Sequence, residues 1–328
     1  MRFVLSLAVL LFTAGPALAA RQSDVAPDAG TPAAAPASAP ASALRFAWPV
    51  PSRVTVTERT FKKGKRAAAR YDAVLSARKG GGYELKIDNY QLLEMDGRDL
   101  TKGPPPPGLK EATALAGAIP TLVLSAEGVL VDVVGMEELM ERLYKMYPED
   151  KREQMRTMFA RSGMDQQMKQ ITSEFWNAWV GAWVGLDLPA GEERSAAMEV
   201  QMPSGPVESA VTVRNRGPDA ERKGAVRLEF ESVLDGEPFR KAMVATMAQV
   251  FQAAGTQDKE PPDFDEMVKS ARRVSSMEVV MDTATMRPFS ARRSEVSKVV
   301  IADKEREEVK QYEYSFAWPA PKKAGKRR

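Results

Sequence analysis

Apolar residues recur at every second position in a series of short runs. These are Val54 and Val56; Tyr71, Ala73 and Leu75; Tyr83, Leu85 and Ile87; Val129, Val131 and Val133; Val226, Leu228 and Phe230; and Tyr312, Tyr314 and Phe316. Period-two spacing places such residues on one face of a β-strand. Gly80-Gly81-Gly82, Asp96-Gly97, Glu127-Gly128 and Asn215-Arg216-Gly217 supply turn chemistry between runs, and connections this short imply antiparallel hairpins. Polar alternates such as Arg227, Glu229 and Glu231 predict a sheet with one face in water.

Other segments carry helical spacing. Met136, Leu139, Met140, Leu143 and Tyr144 share a stripe that Pro148 ends, and Met155, Met158 and Phe159 form a shorter one reaching toward Gly163. Beyond Asp165, a possible cap, Met168, Ile171, Phe175, Trp176, Trp179, Val180 and Trp183 fall along one side of a predicted helix. Phe239, Met243, Met247 and Phe251 predict another helix after Pro238, closed by Gly255. Asp263 with Glu266 predicts a cap for a last helix bearing Phe264, Met267, Val268 and Ala271. Strands, then helices, then strands again define an α+β class with helices laid on an antiparallel sheet. Phe46-Ala47-Trp48-Pro49 is echoed by Phe316-Ala317-Trp318-Pro319, which places the two terminal strands at related edges of one sheet, where proline blunts pairing.

The ends change the picture from fold to place. Arg2, the apolar stretch 3–12 and Ala17-Leu18-Ala19 read as a secretory signal peptide over residues 1–19, cleaved before Ala20. Residues 20–43 are an Ala/Pro-rich linker with too little apolar surface to offset the entropy of ordering. Residues 44–321 are expected to form a single globular domain, with two similar halves meeting near 185–195 as the alternative, and 322–328 a basic tail. The chain has 47 Lys and Arg against 44 Asp and Glu; without Arg2 and the five basic residues of 321–328 the first count falls by six, to 41. The folded part is therefore slightly acidic, which argues against a nucleic-acid partner. No later stretch offers the roughly 20 apolar residues of a transmembrane helix, so a periplasmic or extracellular location is expected.

The chain has no His and no Cys. Ser-His-Asp and Cys-His nucleophiles, a histidine base, disulfides and the usual zinc sites are thereby excluded. Ser76-Ala77-Arg78-Lys79 has the spacing of a Ser-x-x-Lys pair but stands at a strand end without companion motifs, and reads as chance. Asp263, Asp265 and Glu266 lack calcium-loop spacing and read as helix capping. Gly80-Gly81-Gly82 lacks the lysine of a phosphate loop, and Pro104–Pro107 reads as a rigid loop. No catalytic, metal or cofactor residues are assigned, and a non-enzyme is expected. Met168, Phe175, Trp176, Trp179 and Trp183 form one candidate face for an apolar ligand; packing against the sheet is the plain alternative.

Two hairpins carry a resemblance. Residues 121–134 and the turn Asp282-Thr283-Ala284-Thr285-Met286-Arg287-Pro288 resemble patterns in exported bacterial β-rich proteins, and the second is similar to an Asp-x-x-Thr-Gly-x-Pro hairpin of LolA-type periplasmic lipoprotein carriers. Met286 stands where that pattern has glycine. The resemblance implies a large curved antiparallel sheet partly closed by the Met-rich amphipathic helices on one face, enclosing an acyl chain. The expected function is an exported envelope or secreted protein with a lipid or other apolar ligand. A structural or protein-interaction module of the envelope is the alternative, its partner another envelope protein.

Overall fold

Residues 43–103, 119–161, 164–202, 204–253 and 262–320 are described by a computed structural model of the chain. The signal segment, the linker up to residue 42, the Pro104–Pro107 loop, Gly163, Gly255 and the basic tail lie outside these residues. The alternating runs become twelve strands. They are β1 (Ser52–Lys62), β2 (Lys65–Ala77), β3 (Tyr83–Met95), β4 (Arg98–Asp99), β5 (Thr121–Leu124), β6 (Leu130–Val134), β7 (Glu193–Met202), β8 (Gly205–Pro218), β9 (Ala225–Leu234), β10 (Val268–Asp282), β11 (Pro288–Ile301) and β12 (Lys304–Ala317). The helical stripes become α1 (Met136–Lys145), α2 (Glu149–Arg161), α3 (Met164–Trp179) and α4 (Gly236–Ala253), with a one-turn α5 (Phe264–Met267) and a 3-10 turn at Gly181–Trp183. Among the described residues no helix is long and apolar enough to cross a membrane.

All twelve strands join one antiparallel sheet in the order β6-β5-β3-β2-β1-β12-β11-β10-β9-β8-β7, with β4 paired to β3 off this path. Register decides which residues share a face. Val56 stands opposite Tyr71 and Phe316, Leu75 opposite Leu85, and Met277 opposite Phe230 and Arg293. Val54, Val56, Tyr71, Leu75, Val207, Leu228, Phe230, Leu234, Met277 and Phe316 are buried on one side. There they meet α1 through Met136, Leu139, Met140 and Leu143, α3 through Trp176, Ala178 and Trp179, and α4 through Phe239 and Ala242. The opposite side shows half-buried or exposed Thr55, Thr57, Arg59, Glu229, Glu231 and Arg292, as the outward alternates require.

Three expectations are corrected. The sheet is large and antiparallel with accessory helices, but it is not strongly curled. Bulges and glycine kinks curve a sheet, and here the central pairs β2–β1, β1–β12 and β12–β11 run without a register shift. The terminal strands are not edges: β1 and β12 pair with each other in the middle of the sheet, and the edges are β6 and β7. The last helix stops after one turn. Asp263 does cap it, accepting the Glu266 amide at 3.0 Å, but Val268 and Ala271 belong to β10. Val268 pairs with Ile301 there, so a strand partner outweighs the local helical spacing.

The echoed motifs have a structural role all the same. The Trp48 and Trp318 rings meet edge to face at 4.8 Å. Trp48 Nε1 donates to the Met286 carbonyl at 3.1 Å and Trp318 Nε1 to the Pro288 carbonyl at 2.7 Å. Both ends of the chain thus grip the β10–β11 turn. Met286 takes φ 58°, the left-handed conformation that its glycine counterpart would adopt freely, and its side chain is fully buried.

Candidate functional site

Helix α3 lies over β10 and β11 and touches β6, α1 and α2. Its aromatic side seats in a filled core. Trp176 packs edge to face on Phe46 and Trp48 at 5.7 and 5.5 Å and donates its indole N–H to the Gly128 carbonyl at 3.0 Å. Trp179 sits among Phe175, Phe316 and Tyr314 with centroids at 4.8, 5.1 and 5.5 Å, and its own indole N–H has no hydrogen-bond partner. Trp183 is not on the helix: α3 ends at Trp179, and Trp183 closes the following 3-10 turn with its N–H on the Ala178 carbonyl. The three indoles are fully buried and Phe175 is half-buried, while the Met168 side chain lies outside what is described.

Next to this apolar seat the same sheet face is polar. Arg293 and Glu295 of β11, Lys310 and Tyr312 of β12, Arg273 and Ser275 of β10, and Ser232 of β9 occupy inward positions, and Glu174 descends onto them from α3. Arg293 donates to Glu174 Oε2 and lies over the Tyr312 ring. Lys310 donates to Glu295 at 2.7 Å with both side chains buried. Glu174 Oε1, Glu295 Oε2 and Arg273 Nε are buried without a hydrogen-bond partner among the described residues.

Burial pushes the Glu174 carboxyl up to about 7, against the opposing pull of Arg293. Burial also raises Glu295, but Lys310, Arg273 and Arg293 outweigh it and hold that carboxyl below the usual range. Glu58, farther along the same face, is raised by burial even though Tyr71 and Thr60 donate to it. No apolar run covers Arg293, Glu295 or Lys310, and Arg, Glu and Lys ordinarily stand outward, so the polar belt was not legible.

Two cavities among the described residues bear on a ligand. One, about 30 Å³, lies between α3 and the sheet and is lined by Glu174, Asn177, Arg293 and Ser275, with Phe230 and Met277 as apolar walls. The other is a groove of about 230 Å³ at the end of the sheet, lined mainly by Leu44, Leu186, Leu188, Pro189 and Val226. Its polar groups are already bonded: Asn215 donates to the Leu188 carbonyl at 2.7 Å and accepts the Gly217 amide, and Thr283 donates to the Gly224 carbonyl. The groove is bounded on one side where Leu44 pairs by backbone with Gly185 and Leu186.

No protein-family model matches the chain, and no curated protein matches it. Among solved structures it is similar to one of lipid–protein interactions in lipovitellin. That match has a TM-score of 0.39 and 11% identity, covering 83% of this chain and 26% of that one. A second is a porin-like protein from Bacteroides uniformis, with a TM-score of 0.17 and 6% identity over 83% of this chain and 100% of that one. The chain spans about a quarter of the lipovitellin chain it matches. Both are β-rich and neither is specifically of the LolA type; at these scores neither defines this fold.

Proposed function

We propose that this chain is an exported, non-catalytic binding protein of the cell envelope whose ligand is apolar and lipid-like. The observation that carries the reading is the 230 Å³ groove, lined mostly by leucine, proline, alanine and valine together with Asn215 and Thr283, whose side chains are bonded within the protein. Such a surface gains from covering apolar area and loses no hydrogen bond in doing so. Residues 1–19 support export, and the lack of His and Cys narrows catalysis to carboxylate, lysine or serine chemistry. Trp176 and Trp179 of α3 belong to this reading as a second contact, reached only when α3 lifts from the sheet, because both indoles are covered in the arrangement described. The test is titration with a long-chain fatty alcohol, read by tryptophan fluorescence, against wild type and Leu186→Glu. A saturable change lost in the variant, with its melting temperature kept, is expected. No saturation in wild type overturns the reading.

The alternative, a module that docks an envelope protein, has one observation of its own. Edge strand β6 leaves Val131 65% exposed, with Val134 and the preceding Val129 also exposed, beside a strand edge that no other strand pairs with among the described residues. Such an edge accepts an added strand. Site-specific crosslinking from position 131 in the native envelope decides it: a single discrete adduct supports docking, and none refutes it.

A further inference from the structure

The two edges of the sheet are built differently. β6 is five residues long, carries Asp132 at its centre and meets β5 with a register shift, which makes it a short and interrupted edge. β7 is ten residues long and pairs with β8 from Glu193 opposite Arg214 to Met202 opposite Gly205 without a shift. It contains no proline, and Ser195, Ala196, Ala197 and Met198 at its middle are uncharged. Residues 193–197 are exposed on both faces of the sheet, and among the described residues no strand pairs with the outer side of β7.

The hydrogen-bond phase decides which backbone groups that edge presents. The Asn215 amide donates to the Glu192 carbonyl at 2.9 Å, one step before the ladder begins. Bonded positions alternate along an antiparallel pair, so Arg194, Ala196, Met198, Val200 and Met202 turn N–H and C=O toward β8. Glu193, Ser195, Ala197, Glu199 and Gln201 turn theirs away from it. The Ser195 and Thr212 hydroxyls, 2.9 Å apart, fit the closer side-chain approach of a non-bonded pair.

We propose that this edge is the interface of a two-fold homodimer, in which β7 of two copies pair antiparallel about Ala197. A two-fold makes the strand its own partner, so its sequence must be compatible with itself. With Ala197 opposite Ala197, Ser195 stands opposite Glu199 and Glu193 opposite Gln201, and the outward groups exchange about ten hydrogen bonds. On the helix-covered face Ala196 stands opposite Met198, and Arg194 opposite Val200. No like charges are directly opposed, an arrangement that would be destabilising. Centring on Ala196 instead sets Glu193 against Glu199, and centring on Met198 brings the two Glu199 residues to the diagonal. About Ala197, the diagonal neighbour of Glu199 is Glu193 of the second copy, which Arg214 already pairs at 2.9 Å. The inference rests on neither the apolar groove nor the β6 edge.

The test uses the full mature chain, which has no native cysteine. Sedimentation equilibrium is expected to give a two-chain mass. Ala197→Pro removes an outward amide that β8 does not bond and is expected to give a one-chain mass, with circular dichroism checking its fold. Ala197→Lys opposes two charges at the centre, so its one-chain mass at low salt should return toward two chains at high salt. Ala197→Cys reports register: it should form an inter-chain disulfide about tenfold faster than Val131→Cys on the β6 edge, because only at 197 does a residue face its own copy. A one-chain mass for the native sequence at every concentration, a two-chain mass kept by Ala197→Lys at low salt, or equal disulfide rates at 197 and 131 would each overturn the proposal.

Discussion

The two central tryptophans look equivalent in sequence and differ in their bonding. Trp176 has a hydrogen bond to Gly128 and Trp179 has none. Trp179→Ala should cost about 3–5 kcal/mol, the range for emptying a large aromatic site. Trp→Phe separates the pair: at 179 it removes an unpartnered buried N–H, whereas at 176 it also strands the Gly128 carbonyl, an extra ~1 kcal/mol. Urea denaturation should therefore rank Trp176→Phe below Trp179→Phe in stability. The buried Lys310–Glu295 pair gives a second residue-scale test. Lys310→Met removes the hydrogen-bonded counter-charge of a buried carboxylate, leaving only the longer-range pull of Arg273 and Arg293, and should cost about 3–5 kcal/mol, whereas Lys310→Met with Glu295→Gln should recover much of that loss. Equal losses in the single and double variants would show that the pair is not coupled.

Helix α3 is held at Trp176 by the β5–β6 hairpin, whose Gly128 carbonyl accepts the indole N–H. Gly128, in the turn between those strands, takes φ 84°, and a Cβ there would meet the Phe46 side chain at 2.4 Å. Because Phe46 in turn packs on Trp176, Gly128→Ala should disturb the turn, the segment around Phe46 and the helix together. A loss of about 1–3 kcal/mol, the usual scale for such backbone strain, is expected from thermal melting, with tryptophan emission shifted to the red. The β10–β11 turn makes the converse case. Met286→Gly removes the strained φ but empties a fully buried side chain, and the cavity should win, giving a net loss of about 2 kcal/mol or more.

The whole molecule should be most stable in mild acid. The folded pKa of Glu174, about 7, lies above its unfolded value of 4.5, so its contribution is complete below 4.5 and is lost as pH rises through 7. At about 1.4 kcal/mol per unit this loss is on the order of 3 kcal/mol. Glu295 has the opposite sign: its contribution is present above 4.5 and is lost as pH falls through its depressed folded value. Melting temperature should therefore peak between these limits and fall toward pH 8, and Glu174→Gln should flatten the alkaline side alone. Limited proteolysis reports on organisation at the same scale. If 44–321 is one unit, the flanks go first and no stable cut arises near 185–195; two separately stable fragments would establish two halves.

Much of this structure was written in local pattern. Period-two runs at 54–56, 71–75 and 226–230 became strands with those residues inward, and the Met136–Leu143 stripe became α1 on the same face, because burial acts on each side chain through the few neighbours its own element provides. Local pattern failed wherever a distant partner decided the outcome. Val268 and Ala271 have helical spacing, yet Ile301 and Val299 across the β10–β11 pair make them strand. The Phe-Ala-Trp-Pro echo showed that the two ends are related, but nothing local showed that β1 and β12 would meet at mid-sheet. Nothing in the local pattern singled out Arg293, Glu295 and Lys310, since an isolated charge is costly to bury; α3 brings Glu174 over Arg293, and β12 brings Lys310 beside Glu295. A charge can turn inward only where its counter-charge waits, and which charges meet is set by register and helix placement rather than by either segment alone.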